Sequence, residues 1–200
     1  MTRHRRRILD TDSNYWIGYT DLLSNSLLIL MLTVAVTSIA RATNEKPPLL
    51  RLTEQEFFRF DSGSYVLSSD FKKKLDQRIP EITKTIDRYR IDSVEVIGHT
   101  DGQPSPGSSN LDLLLPNAIR SPALRGYQSG SNTDLGLLRA LAVANHLKLR
   151  LDPSGKRGLV IRPYSASSLI ANDGRYAPAD GRDSAERRRI EIRFTRSEDN

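Results

Sequence analysis

Two places in this 200-residue chain hold side chains whose types and spacing could do chemistry. The first is Asp21, the one carboxylate in the apolar run YWIGYTDLLSNSLLILMLTVAVTSIA at 15–40, which contains no Lys or Arg. A helix that spans a bilayer needs about 20 mostly apolar residues. An ionised Asp near the bilayer centre costs about 2.5–3.5 kcal/mol on insertion scales, so it is seldom kept for packing and usually faces a partner helix, a water path or an ion route. The competing account is an Asp tolerated near the interface. The second place joins Asp101, in Gly98-His99-Thr100-Asp101-Gly102, to Arg139, in Asn132-x-x-Leu135-x-x-x-Arg139-Ala140. An exposed carboxylate near a fixed guanidinium can receive a zwitterion: the Asp accepts an ammonium, and the Arg grips a carboxylate in bidentate fashion. Spacing alone favours the plainer reading, an internal Asp101–Arg139 salt bridge, worth little if exposed.

The elements around Asp21 orient it. Arg3, Arg5, Arg6 and Arg7 precede the run, partly offset by Asp10 and Asp12. Basic residues near a helix end mark its cytoplasmic side, and Tyr15, Trp16 and Tyr19 form an aromatic belt there. At about 1.5 Å per residue, Asp21 lies roughly 8 Å beyond Trp16. That depth is shallow enough for cytoplasmic water to reach. Ser38-Ile39-Ala40 would suit a signal-peptidase site, but the apolar core from Leu22 to Ile39 exceeds the roughly 7–15 residues of a signal h-region. An uncleaved anchor is the preferred reading, and both readings export the remainder of the chain.

Composition narrows the function classes. There are no cysteines, so neither a disulfide nor a Cys-based metal site is available. His4, His99 and His146 are scattered without metal-ligand spacing, and no cofactor is expected. The net charge is +6, which could suit an anionic partner. However, the basic cluster Arg187-Arg188-Arg189 runs into Ile190-Glu191-Ile192-Arg193-Phe194, which alternates like a strand with one polar face. Export also argues against nucleic acid. His99 and Asp101 point the same way on a strand, but no Ser or Cys nucleophile is placed beside them, so an enzyme is not expected.

The soluble part, about 145 residues, is a usual size for one domain. The expected organisation is a basic tail at 1–14, a transmembrane helix at 15–40, a linker at 41–56, a domain at 57–196 and a tail at 197–200. The linker of about 16 residues would reach roughly 55 Å when extended. Within the domain, Phe57-Phe58-Arg59-Phe60 reads as a first strand. Ser69 or Asp70 can cap a helix carrying Phe71, Leu75, Ile79, Ile82, Ile86 and Tyr89. Pro80 should kink or restart it. A second strand covers Ser93 to Thr100, and a long loop with room for one helical turn covers Gly102 to Ser131. Asn132 can cap a second helix that ends near Arg150. Strands at Leu159–Tyr164 and Arg189–Thr195 complete an α/β (α+β) sandwich: a mixed sheet with helices on one face.

On these motifs the chain resembles a known family. HTD at 99–101, N-x-x-L-x-x-x-R-A at 132–140, YSASSLIAND at 164–173 and RRIEI at 188–192 are similar to the C-terminal domain of outer membrane protein A and to flagellar stator B subunits, which bind peptidoglycan. The resemblance covers about 57 to 196. It implies that Asp101 and Arg139 hold the amino-acid end of diaminopimelate in a wall stem peptide, with support from Thr100, Asn132 and Leu135. The loop after Asp101 is longer than in the simplest members, Gly136 stands for the usual Ser, and Leu169 for the usual Pro. These departures concern the rim of the site rather than its charged anchors.

The span carries a second resemblance. W-x-x-Y-T-D-L-L-S at 16–24 is similar to the ion-carrying segment of stator B subunits, and with the short N-terminus it looks most like B subunits of Zorya anti-phage defence motors. That implies an inner-membrane dimer of this chain with a periplasmic domain. The dimer would sit inside a pentameric ring of multi-pass A subunits (MotA/ZorA-like), with protons or sodium passing Asp21. A passive wall tether has no use for that Asp. The energy-transducing partners of outer-membrane transport share the Asp but lack the HTD and RA domain.

Overall fold

The computed structural model describes residues 5–43, 46–54, 58–118, 124–178 and 180–196; of these, the side chains of 5–14, 41–43 and 117 are not described. The side chains of the basic tail, together with residues 1–4, Phe57 and the tail at 197–200, therefore lie outside what is described. The chain divides into two units, 1–46 and 47–200.

The first unit is one helix, α1, Arg5–Thr43. Its stretch Tyr15–Ala40 is long and apolar enough to cross a membrane. Within it, the Asn25 side-chain amide donates to Asp21 Oδ1 at 3.3 Å. Ser26, Thr33 and Thr37 turn their hydroxyls onto carbonyls of the preceding turn. Such bonds satisfy polar side chains within the helix itself. Trp16 and Tyr19 meet edge to face at 6.4 Å.

The second unit is a four-stranded mixed sheet with three helices. Its strands are β1 Leu50–Thr53, β2 Ser93–His99, β3 Val160–Ser167 and β4 Arg189–Thr195, in spatial order β1-β4-β2-β3. β4 runs antiparallel to both neighbours, while β2 and β3 are parallel. The helices are α2 Ser69–Tyr89, α3 Leu111–Ala118 and α4 Asn132–Leu151. The core lies between one face of the sheet and α2 with α4. Val94, Val96, Ile190 and Ile192 meet Phe71, Leu75, Ile82, Ala140, Val143 and Leu147, each at most 1% exposed. The fold class is thus the expected α/β one, with a mixed sheet and helices on its apolar face.

Several local readings are corrected. The first strand is not the aromatic segment beginning at Phe57. It is Leu50–Thr53, inside the stretch read as a linker, and it pairs along β4 from Leu50–Ile192 to Thr53–Arg189. Phe58 and Phe60 are buried, but as plugs: their rings pack on Phe71 at 5.1 and 4.9 Å. Ser68, one residue earlier than expected, caps α2 by accepting from the Phe71 N–H at 3.1 Å. α2 continues through Pro80, which is exposed, because its four buried apolar residues hold the helix against the core on either side. Arg90 in the left-handed region closes it. Ser131 rather than Asn132 caps α4, accepting from the Asp134 N–H at 3.2 Å. The long loop holds α3, two turns rather than one, anchored by the buried Leu111 and Ala118.

Candidate binding site

The parallel pair β2 and β3 and the start of α4 bring the sequence-predicted residues together. α4 crosses β2 at two glycines. A Cβ on Gly98 would stand 2.0 Å from the Gly136 carbonyl oxygen, and one on Gly136 would stand 2.4 Å from Ser165 Oγ. At Gly98 the clash is with backbone and only glycine fits, whereas a side chain at 136 would first have to turn the Ser165 hydroxyl aside. The close approach also sets Leu135 and Arg139, on the first turns of α4, beside the end of β2. There Thr100 leaves the strand with its N–H bonded to the Ser167 carbonyl at 2.9 Å.

Thr100, Asp101, Asn132, Leu135 and Arg139 all line one cleft of about 450 Å³. Other parts of its wall are Glu54, Phe60, Asp183 and Arg188, and a rim from the long loop that includes Gln103 and Pro104. Asn132 fixes that rim: its side-chain amide donates to the Gln103 carbonyl at 2.8 Å. The Thr100 hydroxyl is buried and has no hydrogen-bond partner. A buried polar group without a partner invites one.

The two charged anchors differ from the exposed pair anticipated. Asp101 is 6% and Arg139 3% exposed, and no ion pair joins them. Arg139 lies over the Phe60 ring at 4.8 Å, donates from Nε to the Ser64 carbonyl at 2.9 Å and from Nη2 to the Asp61 carbonyl at 3.4 Å. Burial lowers its pKa to about 10, against the pull of Glu54 and Asp101 across the cleft. It therefore stays cationic at neutral pH and is poorly neutralised, which is the state of an anion receptor. Asp101 accepts from the Gln103 N–H at 3.2 Å and pairs with Arg188.

Arg188 was not singled out from the sequence as a site residue. Its Nε and Nη2 reach the two carboxylate oxygens of Glu54, each at 2.9 Å, and its Nη1 is shared by Asp101 and Asp183. These bonds, Glu54 foremost, hold the Arg188 guanidinium above its ordinary pKa, and Arg188 holds Asp183 below the usual carboxylate range. The signal lay in the sequence as the first arginine of RRIEI, whose alternation suggested only a polar strand face. Glu54 gave no signal, because it follows a strand hidden in the supposed linker. Asp21, on α1, belongs to the other unit.

The class that fold and cleft define is an α/β domain with a charge-lined binding cleft, preceded by a helix fit to span a membrane. No known family profile and no curated protein matches the chain. Among solved structures it is similar to the periplasmic domain of Helicobacter pylori MotB, at 18% identity, covering 76% of this chain and 85% of that one, with a TM-score of 0.49. It is also similar to the cell wall anchor of the type VI secretion system from Pseudomonas aeruginosa, at 24% identity over 73% of this chain and 80% of that one, TM-score 0.41. The OmpA-like domain of FopA1 from Francisella tularensis matches at 16% identity over 75% of each chain, TM-score 0.35.

Proposed function

We propose that this chain is the wall-anchored B subunit of an ion-driven inner-membrane motor, of the anti-phage defence kind that the segment at 16–24 resembles. In this reading α1 spans the membrane with its N-terminus in the cytoplasm, and residues 47–196 form a periplasmic peptidoglycan-binding domain. The observation that carries the binding half is the convergence of Thr100, Asp101, Asn132, Leu135 and Arg139 on one cleft. Arg139 would take the carboxylate of a diaminopimelate end and Asp101 its ammonium. The Thr100 hydroxyl would bond one of the two, and Leu135 would pack beneath the aliphatic stem. Charge-assisted bonds at both ends would favour a zwitterion over either a simple amine or a simple acid.

The motor half rests on Asp21. Two copies of α1 would sit inside a ring of multi-pass A subunits, so that Asp21 and Asn25 meet protein or water and not lipid. Neutralising Asp21 by an incoming proton, or pairing it with sodium, would let it cross a low-dielectric contact, and ionisation would restore its hold. The anchored domain would keep the dimer still while the ring turns.

Two measurements test the halves separately. Asp21→Asn keeps the shape and removes the charge; it should abolish phage protection while leaving insertion and co-purification with the A subunit intact. Full protection by Asp21→Asn would reduce the chain to a passive tether. Asp101→Ala in the full-length chain in detergent should cut retention on diaminopimelate-type peptidoglycan roughly tenfold or more, since about 1.5–3 kcal/mol of a charged hydrogen bond is lost. Unchanged retention would remove the wall from the reading.

A further inference from the structure

The cation place on Asp101 is already filled from within the chain. Arg188 brings one guanidinium to three carboxylates: Glu54, Asp101 and Asp183. The three are not equivalent. Glu54 is 8% exposed at its side chain and takes two nitrogens in a fork, the strongest geometry available to the pair. Asp101 is equally buried and shares Nη1 with Asp183, which is 66% exposed. Asp101 has one other contact near the same oxygen, the Ser184 N–H at 3.5 Å, too long to satisfy it alone. Three carboxylates share the one guanidinium that bonds them, while Arg139 acts on Glu54 and Asp101, and Arg59 on Asp183, by charge without a hydrogen bond. A second cation can therefore enter without stranding Arg188, whose Nε and Nη2 remain on Glu54 and whose Nη1 keeps Asp183.

We propose that Arg188 is an internal competitor for the ligand's ammonium, so that binding exchanges one cation for another on Asp101 while Glu54 and Asp183 retain the displaced guanidinium. The proposal rests on the zwitterion reading of the cleft and adds its selectivity step. A neutral donor would leave Asp101 less well compensated than Arg188 does, and so gains nothing by displacing it. An ammonium gains entry only when Arg139 binds the carboxylate at its other end. Arg188 is thus a positioning residue, and affinity is set by how readily Glu54 and Asp183 take it back.

The experiment is calorimetric titration of the full-length chain in detergent with free meso-diaminopimelate. Arg188→Gln removes the competitor and should tighten binding roughly tenfold, the equivalent of one charged hydrogen bond that no longer has to be exchanged. Asp183→Asn, at an exposed position, should weaken binding several-fold, and that loss should vanish in the Arg188→Gln background. Simple removal of a nearby charge would instead weaken both backgrounds alike. If Arg188→Gln fails to fold, Glu54→Gln/Arg188→Gln removes both charges of the forked pair together and carries the same expectation. Binding by the wild type that is unchanged or weaker in the competitor-free variant overturns the exchange alone. No binding by the wild type or any variant overturns the zwitterion reading and the exchange with it.

Discussion

Arg188 and Arg189 are neighbours in sequence, and each meets carboxylate, three for Arg188 and one for Arg189, yet they occupy opposite electrostatic worlds. Arg189 opens β4 on the sheet face away from α2 and α4, with its side chain 1% exposed. Its Nε meets Glu191 at 3.0 Å, and its remaining donors reach the carbonyls of Ile170, Arg187 and Ala171 at 3.1–3.4 Å. Glu191 is bonded also by Arg193 at 3.1 Å, with Arg51 and His99 each 3.6 Å away. That network is closed by backbone. Burial pulls the Arg189 pKa down, whereas bonds to Glu54 push that of Arg188 up. Where desolvation dominates, a charge serves the fold. Where partners outnumber the charge and one of them is exposed, the same residue type is available for exchange.

The comparison breaks most visibly at Glu191. Replacing it with Ala leaves Arg189 buried without its counter-charge, which should cost about 3–5 kcal/mol. Chemical denaturation of the full-length chain would report this as a large fall in the unfolding midpoint. A fall no larger than that of Asp183→Asn would mean the two networks are not different in kind. The pH dependence follows the same division. His99 and Arg189 hold Glu191 well below the usual carboxylate range. A depressed pKa adds stability that is fully present above the unfolded value of about 4.3 and is lost as pH falls below it. Acid titration of wild type should therefore destabilise the domain from about pH 4 downward, and Glu191→Gln should flatten that limb.

A smaller but sharper effect is expected at Arg139. Because it stacks on Phe60 and satisfies two loop carbonyls, Arg139→Ala should lose wall binding and also about 1–3 kcal/mol of stability, the range for stranding buried polar groups. Asp101→Ala should lose binding and free Arg188 to rest on Glu54 and Asp183, with less effect on unfolding. Equal destabilisation by the two variants would place Asp101 with the structural network and not with the cleft.

The sequence disclosed what is periodic or motif-bound. The long amphipathic pattern of α2, the alternation of β4 and the HTD and RA motifs led to elements and residues that the structure brings to one cleft. What stayed hidden was set by tertiary partners. β1 is only four residues, Leu50-Arg51-Leu52-Thr53, too short for its alternation to stand out beside Pro47-Pro48, and its ladder to β4 makes it a strand. The aromatics at 58 and 60 have strand-like composition but are recruited by Phe71. Glu54 and Asp183 lie 134 and 5 residues from the arginine they share, and only the first separation defeats local reading.

A third network supplies the lower end of the scale. Asp76 on α2 accepts from His146 at 2.7 Å and from Arg150, on the last turn of α4, at 2.9 and 2.8 Å. The kinds of group match those around Glu191, a carboxylate with imidazole and guanidinium partners, although one arginine stands here where Arg51, Arg189 and Arg193 stand there. Burial works against the charge here too, but the bonds from His146 and Arg150 outweigh it and hold Asp76 below its ordinary pKa. What differs is solvent, for the Arg150 side chain is 52% exposed and that of Asp76 35%. Water can replace the Arg150 bonds and screens the charge that remains, and the buried His146 can keep a bond to the side-chain oxygen of an Asn at 76. Asp76→Asn should therefore cost no more than about 1 kcal/mol, the usual worth of an exposed ion pair, and should leave wall binding untouched. Raising the salt concentration should shrink even that difference, while the cost of Glu191→Ala should barely move. If Asp76→Asn proved as damaging as Glu191→Ala at high salt, exposure would not be what separates the three networks.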